Sequence, residues 1–169
     1  MPDAPGVELL AQELREAHPD AVVATEHFRG KGAIQVKPER IVEVLRFLRD
    51  KGYRALMSVH GLDYYPEEPR LGVHYELLDR ERVDRLTVKL RVSTDDPRVP
   101  SVTPDWPTAN FQEREIYDMF GVVFDGHPDL RRILMPEDYV GWPQRRDFPI
   151  GGEPVIFTNN EREVPGWTQ

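Results

Sequence analysis

Four charged residues close together, Glu113, Arg114, Glu115 and Asp118, are the first place to look for chemistry. Two carboxylates can divide the acid and base roles of a proton transfer. On a helix, however, successive residues turn by about 100°, so Glu113 and Glu115 point about 200° apart and cannot share a substrate. Arg114 and Asp118 lie four apart, the spacing of a surface ion pair that contributes a few tenths of a kcal/mol. The set reads as a charged helix face, solvated or turned to a partner, ahead of a catalytic site.

Two arginine pairs, Arg131-Arg132 and Arg145-Arg146, match the planar oxygens of a phosphate. Asp129, Glu137, Asp138 and Asp147 balance them, which suits pairing with protein better than steering a polyanion. His60, His74 and Asp63 form a conceivable two-His-one-carboxylate metal set, but no His-Glu-x-x-His spacing occurs. His127 precedes Pro128 in a turn, where hydrogen bonding or an interface outweighs catalysis. The chain has no cysteine, which excludes disulfides, thiol catalysis, Cys-ligated zinc and Cys-held iron–sulfur clusters. No catalytic, cofactor-binding or metal residue is expected.

The elements that must position these groups follow from periodicity. Val7, Leu10, Leu14 and Ala17 predict an amphipathic helix ending before Pro19. Residues 21–25 and 33–36 read as strands joined by the turn around Gly30 to Gly32. Pro38 opens a second helix with Ile41, Val44, Leu45 and Leu48 on its buried face and Gly52 at its left-handed end. Three alternating runs follow: Tyr53 to Val59, Leu71 to Leu77 and Leu86 to Val92. The order α-β-β-α-β-β-β predicts a two-layer α+β domain, helices covering one face of a mixed or antiparallel sheet. Pro97, Pro100, Pro104 and Pro107 then carry the chain out of the sheet, and a last helix is predicted over 108–120, ended by Gly121.

Glycine and proline number 16 in the first 120 residues and 12 in the last 49, so an irregular segment follows the last helix. The organisation expected is a globular domain over 1–104, then a helix and extended arm over 105–169. Trp106, Phe111, Tyr117, Phe120, Phe124, Tyr139, Trp142, Phe148, Phe157 and Trp167 fall in this last third. Rings in irregular chain must pack on the body or on another protein, and the expectation is that the arm's apolar surface finds its shelter on a partner.

At 169 residues, one core is feasible. A net charge of −8 argues against nucleic acid and against adsorption to an anionic membrane face. No apolar run approaches the length needed to span a bilayer, and Met1-Pro2-Asp3-Ala4-Pro5 resembles neither a signal nor a transit peptide, so a cytoplasmic location is expected.

Glu113-Arg114-Glu115-Ile116-Tyr117-Asp118-Met119-Phe120-Gly121, then His127 and Arg131-Arg132-Ile133-Leu134, resembles the motif of the C subunit family of proton-pumping NADH:quinone oxidoreductase, respiratory complex I. Residues 142–149, Trp-Pro-Gln-Arg-Arg-Asp-Phe-Pro, resemble the family's second block, although Trp142 and Gln144 stand where members carry His and Leu. Gly61-Leu62-Asp63 and the run 95–103 are also similar to the family pattern, so the resemblance covers most of the chain.

It implies a non-redox structural subunit of the peripheral arm, bound to the D subunit that forms the quinone site, on the cytoplasmic side of the bacterial cell membrane. FMN, iron–sulfur clusters and quinone would belong to other subunits. The partner-binding residues it implies are Glu113, Arg114, Glu115, Tyr117, Asp118, Phe120, His127, Arg131, Arg132, Arg145, Arg146, Asp147 and Phe148. Two alternatives stand beside it: the matching subunit of a related membrane-bound hydrogenase or other quinone-linked dehydrogenase, and a stand-alone acid–base or metal enzyme.

Overall fold

The computed structural model describes residues 4–149, with side chains from Gly6 onward. Phe157 and Trp167, and the part of the expected arm beyond Pro149, lie outside the described residues. The elements are α1 (Ala4–Ala17), β1 (Val22–Phe28), β2 (Lys31–Val36), a 3-10 turn (Pro38–Arg40), α2 (Ile41–Asp50), β3 (Ala55–Asp63), β4 (Leu71–Asp79), β5 (Asp84–Val92), β6 (Arg98–Pro100), α3 (Ala109–Phe120) and β7 (Val123–Asp125).

Five strands form a mixed sheet in the order β1-β2-β5-β4-β3, antiparallel throughout except for the parallel pair β2–β5. The alternation in β4 and β5 puts Val73, Tyr75, Leu77, Leu86, Val88 and Leu90 into the core, where Ile34 and Val36 of β2 join them. Val7, Ala11 and Leu14 of α1 and Ile41, Val44, Leu45 and Leu48 of α2 bury in the same cluster, giving the two-layer α+β arrangement. Each fully buried Leu or Ile contributes roughly 1.5–3 kcal/mol. On α1, Ala11 occupies the inner stripe, and Ala17, expected there, is exposed.

The core continues past residue 104, through Trp106, Ala109, Ile116, Met119, Phe120, Val122 and Phe124. The prolines do carry the chain off the main sheet, but Arg98–Pro100 then pairs in parallel with Val123–Asp125. Neither three-residue strand is long enough to show a period of two, so both escaped the sequence reading. Tyr53, read as the start of the third strand, precedes β3 and donates from its hydroxyl to Asp84 Oδ2 at 2.7 Å.

α3 covers the outer edge of β3, an edge that would otherwise offer unpaired amides to another chain. The Val59 N–H donates to Gln112 Oε1 at 2.7 Å. Gly61 allows this approach, because a Cβ there would sit 2.5 Å from the Phe120 ring.

The sheet's second face is polar. Across it His60, His74, Lys89 and Gln35 lie in register. Lys89 pairs with Glu26 at 2.6 Å, and Thr87 donates to Glu76 at 2.9 Å. His60 and His74 do stand on neighbouring strands, but His60 Nε2 meets Ser58 Oγ and His74 Nε2 meets the Tyr64 hydroxyl, each at 2.8 Å. No group of three His, Cys, Asp or Glu side chains suited to a metal occurs among the described residues.

Burial, followed by the charge of Lys89, pushes His74 down to about 4. The folded state therefore binds this proton less readily than the unfolded chain, whose histidine titrates near 6.5. Stability is full above about 6.5 and falls as pH drops towards 4. His74→Gln should flatten that part of the curve in urea melts at successive pH values. A wild-type curve already flat from pH 7 to 5 would rule this out.

Candidate partner-binding site

α3 ends because Gly121 takes a left-handed φ of 76°, with its N–H donating to Tyr117 O at 2.9 Å. The position needs glycine twice, since a Cβ would lie 2.5 Å from the Trp142 ring. From Gly126 the chain runs back along α3 without regular structure. Three polar clusters lie along this return, and the second and third bond it directly.

Glu113 anchors the first, with its side chain 0% exposed. Its carboxylate accepts from Ser101 Oγ at 2.5 Å, Val102 N at 2.8 Å and Thr103 Oγ1 at 3.0 Å. Burial nevertheless outweighs these bonds and raises its pKa. His127, also fully enclosed, has Nε2 3.9 Å from Glu113 Oε2. Its Nδ1 accepts from the Asp129 N–H at 3.0 Å, so Nε2 carries the hydrogen and donates to Asn110 O at 3.2 Å. Ser, Glu and His thus adjoin in a cluster whose Glu113 and His127 side chains are both 0% exposed.

Asp118 anchors the second. Its Oδ2 accepts from three successive backbone N–H groups, Ile133 at 3.0 Å, Leu134 at 2.7 Å and Met135 at 2.9 Å. Arg132 donates to Oδ1 at 2.6 Å and to the carbonyls of Asp118 and Gly141, both at 3.0 Å. Burial pushes this carboxyl up, but the bonds from 133–135 and Arg132 outweigh it and hold the carboxyl below the usual range. Arg114 turns away from Asp118 and donates to the carbonyls of Arg131 and Arg132. The expected Arg114–Asp118 surface pair does not form, because a buried carboxylate finds better donors in the returning chain.

Arg70 anchors the third, buried at the start of β4. It forks onto Asp63 (2.8 and 2.6 Å) and onto Asp147 (2.7 and 2.8 Å). The Arg146 N–H adds a bond to Asp63 Oδ2 at 2.7 Å. The Arg70 pairing first, against a smaller effect of burial, drives Asp63 well below the carboxylate range. Nearby, Arg145 Nε donates to Phe120 O at 2.6 Å and Gln144 N donates to Met119 O at 3.1 Å. Trp142 lies edge-on to Tyr117 with 5.5 Å between centroids, beneath the guanidinium of Arg132 at 4.8 Å, and Phe148 stacks on Tyr139.

The thirteen residues expected to face a partner therefore divide. Glu113, Asp118 and Phe120 are internal, which corrects the reading of Glu113 and Asp118 as an outward charged face. Arg114, Tyr117, Arg132, Arg145 and Phe148 are half-buried, His127 exposes only backbone, and all six organise the arm. Glu115, Arg131, Arg146 and Asp147 are exposed, with Arg131 paired to Asp129 and Asp147 to Arg70. The expectation that the arm's rings lack shelter on their own chain is likewise corrected for Trp142, Tyr139 and Phe148. The apolar groups left outward are Ile133, Leu134 (60% exposed) and Val140 (78%) on the arm and Phe111 on α3. Arg70, Ser101 and Thr103 were not expected from the sequence. Their partners lie 7 to 77 positions away, beyond any local pattern.

Residues 34–154 match the family described as respiratory-chain NADH dehydrogenase, 30 Kd subunit. The chain is 49% identical over 154 residues to the C subunit of NADH-quinone oxidoreductase from Roseiflexus castenholzii, covering 89% of this chain and 88% of that one. It is 44% identical to the same subunit of Salinispora arenicola over 163 residues, 92% of this chain and 66% of that one. A solved structure described as Nqo5, a trypsin-resistant fragment (1-134), superposes with a TM-score of 0.61 at 37% identity, covering 72% of this chain and 98% of that one. A chain of an archaeal membrane-bound sulfane sulfur reductase shares the fold, with a TM-score of 0.70 at 23% identity over 93% of this chain and 98% of that one. With the buried Glu113, Asp118 and Arg70 clusters embedded in a family match over most of its length, the chain belongs to the 30 kDa subunit family of respiratory-chain NADH dehydrogenase, the family of NADH-quinone oxidoreductase C subunits.

Proposed function

We propose that the chain is a non-redox scaffold subunit that docks on the D subunit through its arm and fixes the geometry of the peripheral arm of the complex. FMN, iron–sulfur clusters and quinone belong to other subunits, and the site lies on the cytoplasmic side of the membrane. No helix among the described residues is long and apolar enough to cross a membrane. In this reading the body runs through β7 and the arm begins at Gly126.

The observation that carries the reading is the cost of the arm's design. Two charged clusters, at Asp118 and at Arg70, together with the His127–Asn110 bond, hold an irregular segment in one conformation while Leu134 and Val140 remain outward. Apolar side chains on a preorganised loop are suited to a partner's pocket, because little ordering remains to be done on binding. The name of the Nqo5 fragment records a trypsin-resistant portion of that relative, so proteolysis is a natural readout.

Leu134→Glu with Val140→Glu should leave the melting temperature of the isolated chain within about 2 °C, since exposed positions carry little stability. The same variant should sharply reduce co-purification of the D subunit from membranes. Undiminished recovery of D with this variant would remove the arm from the interface.

A further inference from the structure

At the end of the sheet away from the arm, a second surface has a different chemistry. Because β2 and β5 run parallel with Gly32 beside Leu86, the β1–β2 turn and the β4–β5 turn emerge side by side. With the strand ends that flank them, they bring together Phe28, Arg29 and Lys31 from one hairpin and Arg80, Val83 and Arg85 from the other. Phe28 is 70% and Val83 74% exposed. Arg29, Lys31, Arg80 and Arg85 enter no ion pair among the described residues, and Arg29 lies over the Phe28 ring at 5.0 Å. Glu81 is the exposed acid in the two turns; Asp79 is held by Arg82, Asp84 is buried against Tyr53, and Glu76 of β4, which accepts from Thr87, shares a small hollow with Lys31 and Arg85. The concentration of free positive charge stands out in a chain of net charge −8.

The backbone gives a second, independent observation. Arg29 (φ 49°) and Val83 (φ 52°) both sit in the left-handed region. For β-branched Val83 that conformation is a true outlier, and glycine or asparagine would relieve it. Val83 is held outward in this strained conformation on the same tip as the outward Phe28.

We propose that this two-turn tip is a docking surface for another protein subunit of the same complex, one whose facing patch is an apolar pocket rimmed by Asp and Glu. Arginine beside an aromatic ring is the composition of energetic centres at protein interfaces, and guanidinium forks pair with carboxylates in bidentate fashion. Charge complementarity selects an acidic protein over a second copy of this chain, whose own tip would repel it. Three of the four free cations are arginine, Arg29 and Arg80 on the turns and Arg85 at the start of β5. An anionic lipid surface asks instead for a larger flexible lysine and arginine cluster.

Photo-crosslinking in intact membranes tests this. Phe28→p-benzoylphenylalanine is expected to give an adduct with another polypeptide, at a peptide rich in Asp and Glu. Adding Arg29→Glu and Arg85→Glu to the labelled chain should lower the adduct about tenfold or more. The milder Arg29→Gln with Arg85→Gln, checked for an unchanged melt, should lower it as well. Absence of any adduct, an adduct to lipid, an adduct to a second copy, or one to a peptide without acids would each overturn the proposal. The same label in place of Leu134 reports on the arm separately. Loss of its adduct counts against the arm as the segment that touches D and leaves the tip untouched.

Discussion

Asp118→Ala is expected to cost about 3–5 kcal/mol and to free the arm from α3. Removing one member of a buried pair leaves the Arg132 guanidinium uncompensated, and it also orphans the N–H groups of Ile133, Leu134 and Met135. For a domain of this size the midpoint of thermal unfolding should fall by roughly 6–20 °C. Trypsin should then cut at Arg131 or Arg132 faster than in the wild type. Asp118→Asn keeps the size and one acceptor, so it should lose less. The pH dependence has a fixed sign. Because the folded carboxyl is held below its unfolded value, its contribution is complete above about 3.9 and is lost as pH falls through the folded value. An alanine variant with unchanged melting and unchanged cleavage would show that the cluster does not hold the arm.

The second large effect is expected at Arg70. Arg70→Ala leaves the nearly enclosed Asp63 carboxylate with only two backbone donors, Tyr65 and Arg146, and should cost about 3 kcal/mol. Asp147 is half exposed, so Asp147→Ala removes a screened partner and should cost no more than about 1 kcal/mol. The two arms of one fork thus separate by burial alone. Arg70→Lys should rescue little, since an ammonium cannot fork onto two carboxylates. Urea midpoints compare all three, and equal losses for Arg70→Ala and Asp147→Ala would contradict the account.

How far the sequence could be read depended on how far each interaction reached along the chain. α2 was legible because its buried stripe, its opening Pro38 and its closing Gly52 all lie within fifteen residues. β4 and β5 were legible because one face is wet, so each strand alternates. β1 was read short, to Thr25, because Glu26, His27 and Phe28 at the sheet's edge are all exposed and carry no alternation. That the candidate residues come together along α3 was legible, but the direction they face was not. Glu113 and Asp118 look like surface acids by type, and burial was decided by Ser101, Thr103, Arg132 and the amides of 133–135, all ten or more positions distant. Trp142 gave no signal beyond its size, because its socket is the absent side chain of Gly121.

The parallel pairing of β2 with β5 carries a consequence for synthesis. Ile34 meets Val88, 54 positions later, so the first hairpin has no neighbouring strand when it leaves the ribosome. A lone two-stranded hairpin is marginal in water. At roughly 5–20 residues per second, it waits several seconds with Ile34 and Val36 uncovered before β5 exists to receive it. The nascent chain thus presents its future interior to solvent for longer than its small size suggests, and the covering helix α1, made first, is the shield at hand during that interval.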